Sequence, residues 1–146
     1  MSEQAKRREQ VKRTMNRTEE SYPEAVREVL ALAGQRAESI GQPHQFAVLK
    51  LEFLRIYDTL IHTIGLVAEA GEFADEIKKV FGHGKPLDRA KLVSERGDVS
   101  WYYEAVGEDL DIAPGVSEAQ NEEKLQKRHP KGFTVQSSLA RADEKS

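Results

Sequence analysis

The run GLVAEAGEFADEIKK, residues 65–79, sets a hard condition on any fold this chain adopts. Its apolar residues recur at helical spacing. At about 100° per residue, however, Glu69 and Glu76 fall in the same sector as Leu66, Phe73 and Val80, with Glu72 on the flank. His62 shares that sector one or two turns earlier. The stretch LDRAKLVSERGDVSWYYEAVGEDL, residues 87–110, repeats the pattern: Leu92, Glu95, Val99, Tyr102 and Val106 share a face, and Asp98 lies beside them. Glu104 and Glu108 are expected on the opposite, solvent side. Two helices thus each direct a carboxylate pair at i, i+3, Glu69/Glu72 and Glu95/Asp98, toward an apolar seam. An ionised carboxylate leaving water needs a partner charge or a metal ion.

The remaining pattern is helical as well. Ser21 followed by Glu24 predicts a capping box, opening a helix through Val26, Val29, Leu30 and Leu32 to about Ile40. GQPH interrupts it. A long helical region is expected from about Gln45 to Phe81, with a bend near residues 62–65, and GHGKP at 82–86 ends it. Asp88 is the expected N-cap of the next helix, with Leu87 and Leu92 spaced as a hydrophobic staple. That helix runs to about Leu110, and Ser117 with Gln120 predicts another capping box for a last helix ending before Pro130. No strand-like alternation or internal repeat is present, so the expected fold is an all-α bundle of four to five helices.

Length allows one domain, expected over residues 21–133. Residues 1–20 carry almost no large apolar side chains and are expected to form a flexible charged arm, and residues 134–146 a loose tail. Lys6, Arg7, Arg8, Lys12, Arg13 and Arg17 make that arm locally basic, but interspersed glutamates and a net charge of -3 give no support to nucleic-acid binding. There is no cysteine, which removes disulfides, thiolate metal sites and thiol catalysis together. No apolar run reaches membrane-spanning length and no signal-peptide core is present, so a soluble cytoplasmic protein is the default.

Oxygen-only ligands suit a hard cation, Mg²⁺ or Mn²⁺, better than zinc. A di-iron carboxylate bundle requires Glu-x-x-His pairs, and no glutamate here has a histidine three residues later. The alternative is that the acids border the core and pair with Lys78, Lys79 or Lys91. Two inward pairs on helices joined by a short turn favour the metal.

Three segments, GLVAEAGEFADEIKK, GHGKPLDRAKLVSERGDVSWYY and NEEKLQKRHPKGF, together resemble the MazG family of all-α nucleotide pyrophosphohydrolases. The family signature, Glu-x-x-Glu then Glu-x-x-Asp, reads here as Glu69-Ala-Gly-Glu72 and Glu95-Arg-Gly-Asp98. The resemblance spans roughly residues 62–133, about half the chain. It implies a homodimer or tetramer that hydrolyses nucleoside triphosphates between the α and β phosphates. Glu69, Glu72, Glu95 and Asp98 would hold Mg²⁺, with Mn²⁺ as a possible substitute, and Glu72 would also serve as general base. Glu76 is either a further ligand or base, or a boundary acid near Lys79.

Asn121, Lys124 and Arg128 share one face of the last helix, with Lys127 at its edge. The resemblance implies phosphate or nucleotide contacts for Asn121 and Lys124. Arg128 and Lys127 suit either that role or the helix dipole. His83 and Lys85 lie in a turn between the acidic helices, where they either reach a phosphate tail or belong to a helix C-cap. His62 is expected as a packed core residue, and Trp101 and Tyr102 as core or subunit-interface aromatics, with stacking on a base as the alternative. Related dUTPase or phosphoribosyl-ATP pyrophosphohydrolase chemistry is an alternative, as is a catalytically silent helical interaction module.

Overall fold

The computed structural model describes Lys6, Glu9, Val11 and residues 17–140. Regular structure among the described residues is helical, apart from an isolated bridge between Pro130 and Gly132. A short 3-10 turn, Glu19–Ser21, precedes helices α1 (Glu24–Ser39), α2 (Pro43–His83), α3 (Arg89–Asp109), α4 (Val116–Arg128) and α5 (Val135–Ala140). The described residues fall into two compact units, one through Asp111 and one from Ile112 onward. No helix is long and apolar enough to cross a membrane.

Helix ends follow local chemistry, sometimes against expectation. Ser21 does not cap α1: its hydroxyl donates to Thr18 O at 2.7 Å within the 3-10 turn, and Pro23 occupies the N-cap position. A proline with its fixed φ starts the helix without a side-chain cap. The Ser117–Gln120 box is likewise not used, since α4 begins at Val116 behind Gly115 in the left-handed region. By contrast, Asp88 Oδ1 accepts from Lys91 N at 3.0 Å, capping α3 as expected. Gly84, at φ 65°, closes α2 with a left-handed cap, so the GHGKP segment is a helix terminator. α2 runs unbroken through residues 62–65 and is about 60 Å long at 1.5 Å per residue.

Parts of the expected arm and tail fall among the described residues. Val11 is buried. Arg17 Nη1 lies 3.0 Å from Asp58 Oδ1, and Lys50 Nζ lies 2.6 Å from Glu19 Oε1. The end of the expected arm is therefore tied to α2 by charge, while most of residues 1–16 lies outside the described set. Residues 135–140 are helical rather than loose. Thr134 Oγ1 accepts from Ser137 N at 3.0 Å and Ser137 Oγ accepts from Thr134 N at 3.1 Å, a reciprocal cap that starts α5. His129 Nδ1, 2.6 Å from Ser137 Oγ, ties that cap back to the end of α4.

α2 and α3 form the principal helix pair of the first unit, and a glycine sets their closest approach. A Cβ on Gly65 would stand 2.2 Å from Tyr102 Cε1. Tyr102 itself packs edge-on against Trp101, with ring centroids 4.9 Å apart, and both rings meet the buried His62. His62 Nδ1 lies 2.6 Å from Asp109 Oδ2, linking the middle of α2 to the end of α3. His62 is buried as expected, while Trp101 and Tyr102 pack against it but stay half-exposed.

Gly65→Ala should destabilise the chain by about 1–3 kcal/mol, because overpacking against an aromatic ring outweighs the roughly 1 kcal/mol that alanine gains in a helix. Gly71→Ala, where a Cβ meets nothing within 4 Å, should instead be neutral or stabilising by up to about 1 kcal/mol. Urea denaturation of the two variants checks the contrast.

Candidate metal centre

The α2–α3 seam brings carboxylates from both helices together. One oxygen each from Glu69 on α2 and Glu95 and Asp98 on α3 lie within 4.8 Å of one another. The three differ in exposure: Glu95 is buried at 2% accessibility, Glu69 is half-buried and Asp98 is exposed. Glu72, the fourth expected ligand, is exposed and stands outside this cluster. The expectation that both members of each pair turn inward is thus corrected. An i, i+3 partner is offset by about 60° around the helix, which carries Glu72 and Asp98 to the rim. Glu104 and Glu108 are corrected in the other direction, being half-buried rather than on an open solvent face.

Repulsion within the cluster is visible in Glu69. Loss of water around its carboxyl, and then the charges of Glu72, Asp98 and Glu95, hold it above the usual glutamate range, while Lys91 opposes the shift. Lysines answer the negative charge. Lys91 forms an ion pair with Glu95 one turn along α3, and its ammonium is pushed upward by the hydrogen bond to Glu95, with Glu76 and Glu72 adding to it. Lys79 lies 2.5 Å from Glu76 Oε1 and 3.1 Å from Asp75 Oδ2, and Lys78 also pairs with Asp75. Glu76 therefore has its own lysine, as a boundary acid would, and Asp75 is held below its usual range by Lys78 and Lys79.

These residues fit a hard divalent cation. The donors are all oxygens, come from two helices and converge to within one ion's reach, and among the described residues buried Glu95 has the flexible ammonium of Lys91 as its ionic partner. His83 is exposed at the C-terminal end of α2 and Lys85 is exposed in the turn beyond it.

Asn121, Lys124 and Arg128 lie on α4 of the second unit. A cavity of about 740 Å³ in that unit is lined by Asn121, Arg128, His129 and Phe133 among others, whereas Lys124 is exposed and does not line it. Lys127 pairs with Glu123 at 2.9 Å, one turn back.

Sequence reasoning missed a buried polar group at the other end of the seam. Tyr22 Oη donates to Asp58 Oδ2 at 2.9 Å, and burial plus the adjacent carboxylate push the phenol up to about 12. The Arg17 contact to the other Asp58 oxygen is an ion pair rather than an aligned hydrogen bond. Burial also raises Asp109 above the normal aspartate range, with His62 working against it. No spacing rule joins residues 36 or 47 positions apart, so these pairings had no local signal.

Among comparisons with known proteins, the chain is 38% identical over 74 residues to the Gene 37 protein of Mycobacterium phage L5. The match covers 48% of this chain and 65% of the phage protein, so the chain spans slightly less than two thirds of that relative. No protein-family model and no solved structure matches.

Glu69 binds a proton more readily in the folded chain than in the unfolded one, so ionising it costs stability. That cost grows as pH rises above the ordinary glutamate range and vanishes below it. Without metal, Glu69→Gln should therefore be more stable than wild type at neutral pH, and the two should converge near about pH 4. Urea melts in EDTA across that range check the sign; equal stability at neutral pH would contradict it.

Proposed function

We propose that this chain is a Mg²⁺-dependent nucleoside triphosphate pyrophosphohydrolase of the MazG-like type, cleaving between the α and β phosphates. The observation that carries the reading is the convergence of Glu69, Glu95 and Asp98 oxygens from two helices to within 4.8 Å. In this reading those three residues hold the ion, and Glu72 stands at the rim. Mg²⁺, when bound, would supply charge neutralisation for the polyphosphate and polarise the phosphoryl oxygens.

The protein's own groups supply the rest. In this reading Glu72, exposed and outside the ligand cluster, takes the proton from the attacking water. The donors of Asn121, Lys124 and Arg128 suit phosphate or nucleotide contact. Buried Glu95 fixes the ligand set on the α3 side, since its surroundings leave its carboxylate little freedom.

Self-association is part of the same proposal, and exposed apolar surface supports it. Leu49, Phe53, Ile56, Leu60, Ile64 and Val67 recur on one stripe of α2 at three- and four-residue spacings, and each is more than two-fifths exposed. Few apolar side chains are buried among the described residues: Val11, Tyr22, Leu30, Ala37 and Ala105. Burying a large aliphatic chain removes roughly 60–120 Å² from water, by its 1.5–3 kcal/mol at 25 cal/mol per Å². Six such chains, each already partly covered, supply roughly a few hundred of the about 800 Å² per partner of a standard interface, and neighbouring residues of the helix would have to supply the remainder. A straight heptad-like seam is self-complementary, so the occupant is a second copy of this chain.

Pyrophosphate release from a panel of canonical and modified NTPs and dNTPs tests the chemistry. Release should require Mg²⁺ and fall by at least about 100-fold in Glu95→Gln. Absence of release by folded, metal-supplied protein would favour the silent interaction module. For assembly, light scattering should give twice the 16.5 kDa chain mass for wild type and the single mass for Ile56→Glu/Leu60→Glu. A monomeric wild type would contradict the seam.

A further inference from the structure

The carboxylate cluster already has a cationic occupant, and it belongs to the chain. We infer that Lys91 is an internal counter-ion which a divalent cation must displace, making the lysine a latch on the metal centre. This inference rests on the metal-site reading above.

Three observations carry it. First, Lys91 is the ionic partner of Glu95, the one cluster carboxylate that is almost wholly buried. A buried carboxylate without a cation is strongly disfavoured, so the metal-free fold depends on that ammonium. Second, Lys91 interacts favourably with Glu76 and Glu72 and lowers the protonation tendency of Glu69, so its charge acts on the whole acidic group. Third, the lysine is built to leave. Its side chain is 50% exposed on a four-carbon stem, while its backbone N–H is held by Asp88 at the helix cap. The ammonium can swing outward with α3 fixed. Lys79, the other nearby lysine, is paired with Asp75 and Glu76 instead.

A single ammonium makes one short contact with Glu95, whereas a divalent ion gathers oxygens from three carboxylates and carries twice the charge. Exchange is therefore directional: Glu95 keeps a cation throughout, and the lysine is released as the ion enters. Removing the lysine takes away a competitor and also makes the cluster more negative. Both effects tighten metal binding.

The test is calorimetric titration of Mn²⁺ alone, without nucleotide, into the full chain and into Lys91→Met. The expected result is binding about tenfold tighter or more in the variant. The metal-free variant should melt lower than wild type and recover when Mn²⁺ is added. Equal or weaker Mn²⁺ binding by Lys91→Met would overturn the latch while leaving the metal site standing. No Mn²⁺ binding by either folded protein would overturn the metal reading, and the latch with it. If Lys91→Met does not fold, wild type alone decides. Amine-ester labelling at Lys91, read by mass spectrometry against Lys78, should rise several-fold with Mn²⁺, and unchanged labelling in Mn²⁺-saturated protein would overturn the proposal.

Discussion

The α2–α3 seam depends on neutralising Glu95. A carboxylate at 2% accessibility loses nearly all of its hydration, and in a low-dielectric setting an unpaired charge there would oppose helix packing by several kcal/mol. The ammonium of Lys91 removes that obstacle from the same helix, one turn away, so the seam can close without an ion. Closure then brings Glu69 and Asp98 to the same spot, where loss of water and then the neighbouring carboxylates raise the proton affinity of Glu69. The cluster thus holds three carboxylates and one ammonium at the seam.

A different polar anchor holds the seam's other end. His62 reaches Asp109 across the pair, and Asp58 on α2 receives Tyr22 and Arg17 from the segment before α1. Between the two polar groups lie the Trp101 and Tyr102 rings and the glycine that admits them, Gly65. Packing in the middle and satisfied charge at both ends fix the rotation of each helix about its axis. That rotation decides which acids converge, so the aromatic contacts are as necessary to the cluster as the acids themselves.

Much of this was legible in the residues. Helical periodicity placed Glu69 and Glu95 on the packed side, and Asp88 and the glycine turn marked the ends of α3 and α2 where the structure has them. Local rules failed where two signals competed. Ser21 and Glu24 have the capping-box spacing, but Pro23 between them sets the helix start, and Gly115 does the same ahead of Ser117. Wheel position overstated the burial of Glu72 and Asp98, because a 60° offset separates a seam from its rim. The Tyr22–Asp58 and His62–Asp109 pairs had no sequence signal, since tertiary pairing alone creates them. Composition also gave no sign of the ion pair at Glu19 or the reciprocal cap at Thr134 and Ser137, which depend on polar contacts rather than apolar burial.

The central claim is that Glu69, Glu95 and Asp98 are ligands to one hard divalent cation. Anomalous diffraction from crystals grown with Mn²⁺ tests it directly. The account predicts a single strong peak among those three carboxylates, with Lys91 turned away from Glu95. An empty cluster with Lys91 still on Glu95 at saturating Mn²⁺, or a peak at another set of acids, would contradict it.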